Sequence, residues 1–261
     1  MDKYLENKIA VVTGAGSGIG RAIAKKMALL GASVYCTDMN VQAAQETVEQ
    51  LCSELPSQSH ASLYIDVTDR ESVDKAVKAI GDAHGAIDVL CSNAGVSTMK
   101  LFENLTERDW DFNMDVNAKG MFNVIQAVLP FMKEKGGRMI LTASQAALKA
   151  YPYFAHYSAS KFAVLALVQS LCVELAPYRI NVNCVCPGYV QTSMQERELV
   201  WEAELRGMTV EQVKQDYLDH TPFREMCKPE YVADAVGFLA GPEASFLTGI
   251  ALPVTGGSHL L

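Results

Sequence analysis

The segment VVTGAGSGIGRAI, residues 11–23, reads as an apolar strand that breaks on glycine and restarts as a helix. Gly14, Gly16, Gly18 and Gly20 fall between the two elements. Glycines there permit a tight turn and let the backbone approach a pyrophosphate, whose charge the free N–H groups of a helix N-terminus stabilise. The spacing is G-x-x-x-G-x-G, and no lysine follows as a Walker loop would need. Nucleotide binding therefore fits and phosphoryl transfer does not. A second reading stays open, in which the glycines serve only close packing of strand on helix.

Outward from this segment the same alternation continues. Strand-like runs at 8–13, 33–38, 62–67, 87–93, 138–143, 180–186 and 249–254 are separated by longer helical patterns. The first six are almost continuously apolar, as strands are when helices cover both faces of a parallel sheet. A single α/β domain over residues 1–261 is expected, with a doubly wound parallel sheet of about seven strands. Two long helices are expected near 107–135 and 157–177. One segment breaks the rhythm: after Pro187 and Gly188 about thirty residues intervene before a helix with Pro229 in its first turn. Thr209-x-x-Gln212 has the form of a capping box, so this insertion is expected to be helical, as a substrate lid at about 189–225 or as a plain surface excursion.

The chain has 261 residues, 49% of them hydrophobic and 20% charged, with a net charge of -8. An acidic field argues against nucleic acid or an anionic membrane as partner and favours a small molecule. The longest apolar run, 162–168, is far below the roughly 20 residues that span a bilayer. The opening MDKYLENK has no apolar signal region, and seven cysteines without a C-x-x-C pair read as reduced thiols. Together these predict a cytoplasmic protein. The five histidines are dispersed, so no metal site is expected.

Asp38 ends the second strand, eighteen residues beyond Gly20. A carboxylate there can accept hydrogen bonds from a ribose diol and repel a 2′-phosphate, and Met39 supplies no compensating charge, which favours NAD over NADP. In the helix that opens at Tyr157, Lys161 lies one turn on and on the same face. A nearby ammonium lowers a phenol's pKa and suits Tyr157 to exchange a proton with an alcohol or ketone while a hydride moves. The plain alternative is a boundary tyrosine with a snorkelling lysine.

Taken together these pieces resemble a classical short-chain dehydrogenase/reductase along essentially the whole chain. They come in family order: TGAGSGIG at 13–20, Asp38, DV at 66–67, NAG at 93–95, Asn117, Ser144, YSASK at 157–161 and PGYVQT at 187–192. The resemblance implies a catalytic tetrad of Asn117, Ser144, Tyr157 and Lys161, with Ser144 on the substrate oxygen and Asn117 keeping a proton-relaying water. It assigns Gly14, Ser17, Gly18, Ile19 and Gly20 to the pyrophosphate, Asp38 and Met39 to the adenosine ribose, and Asp66 and Val67 to the adenine. Asn93, Ala94 and Gly95 would form the floor of the site, Lys161 would hold the nicotinamide ribose, and Pro187, Gly188, Val190 and Thr192 would meet the nicotinamide end. It also implies a homo-oligomer, dimer or tetramer, built on the two long helices.

Substrate choice rests on less. Gln145 after Ser144 is similar to sugar-alcohol and diol dehydrogenases, where a glutamine could bind a second hydroxyl; a loop residue without function fits equally. Residues 190–220 hold seven acidic and three basic side chains, with Met194, Trp201, Met208 and Tyr217 as candidate apolar walls. Lys100, Lys149, His156 and Arg197 are the cations that could meet an anionic group. The expected activity is NAD-linked interconversion of a secondary alcohol and a ketone on a polyol, sugar or small diol. The alternatives are a hydroxysteroid or 3-oxoacyl reductase, and a dinucleotide sensor or scaffold without turnover.

Overall fold

The computed structural model describes residues 3–55 and 58–261. Seven strands form one sheet in the order β3-β2-β1-β4-β5-β6-β7, with every neighbouring pair parallel. They are β1 (Ile9–Thr13), β2 (Ser33–Asp38), β3 (Ala61–Tyr64), β4 (Val89–Ser92), β5 (Gly137–Thr142), β6 (Ile180–Pro187) and β7 (Ala251–Val254). The pleat sends successive side chains to opposite faces. Ala10 and Val12 thus join a core with α1 (Gly18–Leu29), α2 (Val41–Glu54) and α9 (Pro229–Ala240). Val11, between them, joins a second core with α3 (Arg70–His84), α5 (Gly120–Val128) and α6 (Ala155–Glu174). Chain order reverses between β1 and β4, and the crevice at their carboxyl ends is where such sheets take ligands.

Two elements differ from the sequence expectation in ways that matter to the site. The third strand stops at Tyr64 rather than 67, so Asp66 and Val67 lie in the loop beyond the sheet. The helix expected near 107–135 is broken into α4 (Glu107–Met114), a π turn at Asp115–Lys119, α5 and a 3-10 turn at Leu129–Phe131. The break has a cause outside the helix itself. Asn117, fully buried in the π turn, accepts from Val96 N–H at 2.8 Å and donates to the Val96 carbonyl and to Ser160 Oγ, both at 2.9 Å. These long-range bonds hold the one wide turn that plain periodicity does not reveal.

The insertion is helical. Helices α7 (Ser193–Arg206) and α8 (Val210–Asp219) pair around Leu199, Ala203, Val213 and Tyr217. Thr209 and Gln212 form the reciprocal capping box. Its stem is pinned where Val190 bridges Cys227, with Gln191 N–H donating to the Cys227 carbonyl at 2.9 Å. Tyr217 and Met208 therefore serve this small core instead of walling a substrate pocket, Tyr217 stacking on Tyr189 with ring centroids 3.9 Å apart.

Candidate active site

The glycine-rich turn is built by close approach. A Cβ on Gly20 would stand 1.9 Å from the Gly14 carbonyl oxygen, and Gly14 itself has φ +65° with Ala94 against it. Ser17 caps α1 without a side-chain bond, and the first turn carries no acidic residue, so its N–H groups stay available to an anion. Asp38 folds back on the same turn, its Oδ2 accepting from Gly16 N–H at 3.0 Å and its Oδ1 from Asn40 N–H at 2.9 Å. Thr13 Oγ1 accepts from the N–H groups of Asn93 and Ala94, joining the ends of β1 and β4. Asp66 is fixed by the Thr68 N–H and hydroxyl, and Val67 by Asn123.

These groups border one cavity of about 730 Å³. Around it stand Gly14, Ser17, Gly18, Ile19, Gly20, Asp38, Met39, Asp66, Val67, Asn93, Ala94 and Gly95. Ser144, Tyr157, Lys161, Pro187, Gly188, Val190 and Thr192 complete the set; of the expected catalytic tetrad only Asn117 lies elsewhere, and so does Gln145. The turn that a Cβ would fill, the free helix N-terminus and the Asp38 carboxylate fit the pyrophosphate and ribose of a dinucleotide.

At the far end, α6 carries Tyr157 and Lys161. Lys161 is 4% exposed and donates to the Thr142 carbonyl at 3.1 Å; burial pushes its ammonium down to about 8. Its Nζ lies 5.7 Å from the Tyr157 ring centre. The expected depression of the Tyr157 pKa is absent. Burial pushes the phenol up, the Glu198 carboxylate adds to this, and the Ser144 hydroxyl pulls the other way. Ser144 also accepts from Ala146 N–H at 3.1 Å, which fixes its position at the end of the loop after β5.

Asn117 reaches the site indirectly. Its amide holds Ser160, whose hydroxyl donates to the Tyr157 carbonyl at 2.7 Å, so it positions the helix that carries the tyrosine. Gln145 does not line the cavity, and its Oε1 accepts from the Ser258 hydroxyl at 2.7 Å. Of the four candidate cations only Arg197 lines the cavity. Lys100 pairs with Asp109, Lys149 donates to the Leu261 carbonyl, and His156 is buried against Thr98. Met194 lines the cavity and Trp201 does not.

Sequence reasoning missed Phe112, Asp115, Val116, Gln195 and Glu198, all of which line the cavity. The signal for Glu198 was available. Thr192 caps α7, and Glu198 follows Met194 by one turn, on the face that turns inward. Its carboxyl is held up at about 7, mainly by burial.

A family described as enoyl-(acyl carrier protein) reductase matches residues 14–259. The chain is 37% identical over 260 residues to oxidoreductase UcpA of Salmonella typhimurium, covering 98% of this chain and 96% of that protein. The crystal structure of levodione reductase superposes with a TM-score of 0.92 at 26% identity, covering 98% of each chain. That of a 3-ketoacyl-(acyl-carrier-protein) reductase from Brucella melitensis complexed with NADH gives 0.86 at 29% identity, covering 98% of this chain and 99% of the other.

Proposed function

The chain belongs to the classical short-chain dehydrogenase/reductase family of oxidoreductases, and we propose that it interconverts a secondary alcohol and a ketone using NAD. The observation that carries this reading is that Ser144, Tyr157 and Lys161 border the same cavity as the glycine-rich turn and Asp38. Bound nicotinamide supplies the hydride acceptor or donor. The residues supply everything else. Gly14, Ser17, Gly18, Ile19 and Gly20 hold the pyrophosphate, and Asp38 beside Met39 reads the adenosine ribose and disfavours a 2′-phosphate. Asp66 and Val67 border the adenine, Asn93, Ala94 and Gly95 form the floor, and Pro187, Gly188, Val190 and Thr192 close the nicotinamide end.

Tyr157 takes the hydroxyl proton from the alcohol and returns it to the ketone oxygen in the reverse direction. Ser144 donates to that oxygen as charge develops on it. Lys161 stabilises the phenolate electrostatically, which matters because burial alone opposes it. Asn117 acts through Ser160 to hold Tyr157 in place. Residues 189–225, with α7 and α8, serve as the lid over the substrate end. The substrate is a small polyol, sugar or diol. The acidic lid and the pairing of Lys100 and Lys149 within the chain weigh against an acyl-carrier or coenzyme A thioester.

Reduced-nicotinamide absorbance across polyols, sugars, small diols and hydroxysteroids, with NAD and NADP in parallel, tests the reading. Turnover with NAD on the diol or polyol group is expected. Turnover confined to hydroxysteroids, or with NADP alone, would replace it.

A further inference from the structure

Helix α7 and the loop after β4 bring three polar side chains together without giving them enough partners. Ser97 is 4% exposed and Gln195 6%, yet neither the Ser97 hydroxyl nor the Gln195 amide nitrogen makes a hydrogen bond. Both stand beside the Glu198 carboxylate, close enough to favour its charge. Gln195 and Glu198 line the cavity, and Glu198 acts on Tyr157. Glu202, one turn further along α7, provides the contrast. It accepts from Arg206 at 2.8 Å and from the Tyr217 hydroxyl, and Arg206 also bridges to Asp216 at 2.8 Å. Among the described residues no lysine, arginine or histidine forms an ion pair with Glu198. Arg197, its neighbour, is exposed and only lowers its pKa from a distance.

Buried polar groups left unpaired are costly, so two such groups beside a carboxylate that lines the cavity point to a ligand that completes them. Their chemistry is specific. A carboxylate can only accept, whereas the Gln195 amide nitrogen donates and the Ser97 hydroxyl does either. The ligand group that answers both must donate and accept at once and carry no negative charge. A hydroxyl does so; a carboxylate would oppose Glu198, and a methylene would leave Ser97 and Gln195 unpaired.

Resting on the reading that Tyr157 exchanges its proton with the substrate oxygen, we infer that Glu198, with Gln195 and Ser97, is the point that selects a substrate bearing a second, uncharged hydroxyl near the reacting carbon. This is the role that sequence had offered to Gln145, moved to α7.

The test compares three ketones of similar length, 1-hydroxy-2-butanone, 2-pentanone and 2-oxobutanoate, reduced with NADH by wild type, Glu198→Gln and Glu198→Leu at mildly alkaline pH. In wild type the kcat/KM for the hydroxyketone should exceed that for 2-pentanone by at least about tenfold, with 2-oxobutanoate poorest. Glu198→Leu should bring the hydroxyketone to pentanone ratio near one. Glu198→Gln keeps the shape and removes the charge, so it should raise 2-oxobutanoate relative to the other two, and it carries the test if the leucine variant does not fold. Turnover with ratios that are the same in all three proteins overturns the inference and leaves the oxidoreductase reading standing. A wild type that binds NADH and reduces none of the ketones overturns both.

Discussion

Holding Lys161 almost wholly out of water pushes its ammonium from 10.5 down to about 8, a burden of about 3 kcal/mol on the folded state at neutral pH. The sign follows from the depressed value. Below 8 the lysine is protonated in both folded and unfolded chains and the burden is complete; it lifts as pH rises from 8 towards 10.5. Lys161→Met should therefore lose turnover while raising the melting temperature of the cofactor-free protein by a few degrees, with the gain shrinking above pH 8. Thermal unfolding against pH checks this, and a variant that melts well below wild type would contradict it. Glu198 adds a second electrostatic effect. Its negative charge disfavours the Tyr157 phenolate, so Glu198→Gln should move the rising limb of alcohol oxidation to lower pH. A limb that stays in place, or moves up, would mean that Glu198 does not act on Tyr157.

The strand-to-helix turn at 14–20 and the π turn at 115–119 show what a linear pattern can and cannot carry. The first is local: glycines at fixed offsets between an apolar strand and a helix are readable directly. Gly20→Ala should abolish dinucleotide binding, because its Cβ would meet the Gly14 carbonyl at 1.9 Å and the backbone must shift; NADH fluorescence titration reads the loss, and unchanged affinity would contradict the geometry. Asp38→Ala should narrow the NAD over NADP preference and also loosen the turn it braces through Gly16. Comparing kcat/KM for the two cofactors checks it, and an unaltered ratio would place ribose recognition elsewhere. The π turn is not local. It exists because Asn117 binds Val96 and Ser160, residues far off in sequence. The same holds for Tyr217, which looked like a pocket wall and belongs to the insertion's own core, whereas Glu198 was readable from its spacing of one turn after Met194 on α7. The alternation of seven strands with helices and the tyrosine-lysine spacing were legible; which partner each polar side chain chooses was not.

Across the molecule, α6 is apolar on nearly every side. One side enters the core through Val164 and Val168, while Phe162 and Val173 are exposed on the other, and Trp110 and Phe122 are exposed on neighbouring α4 and α5. A helix apolar all round is expected to be covered on both sides, which fits pairing between copies of the chain. Light scattering should give a dimer or tetramer of the 28.4 kDa chain, and Phe162→Asp with Val173→Asp should shift it towards monomer. A monomeric wild type would contradict the assembly. The central claim remains the proton transfer at Tyr157, and Tyr157→Phe tests it most directly. With the alcohol that wild type oxidises best, NADH formation should fall by about 100-fold or more while NADH still binds. Turnover close to wild type in that variant would contradict the account.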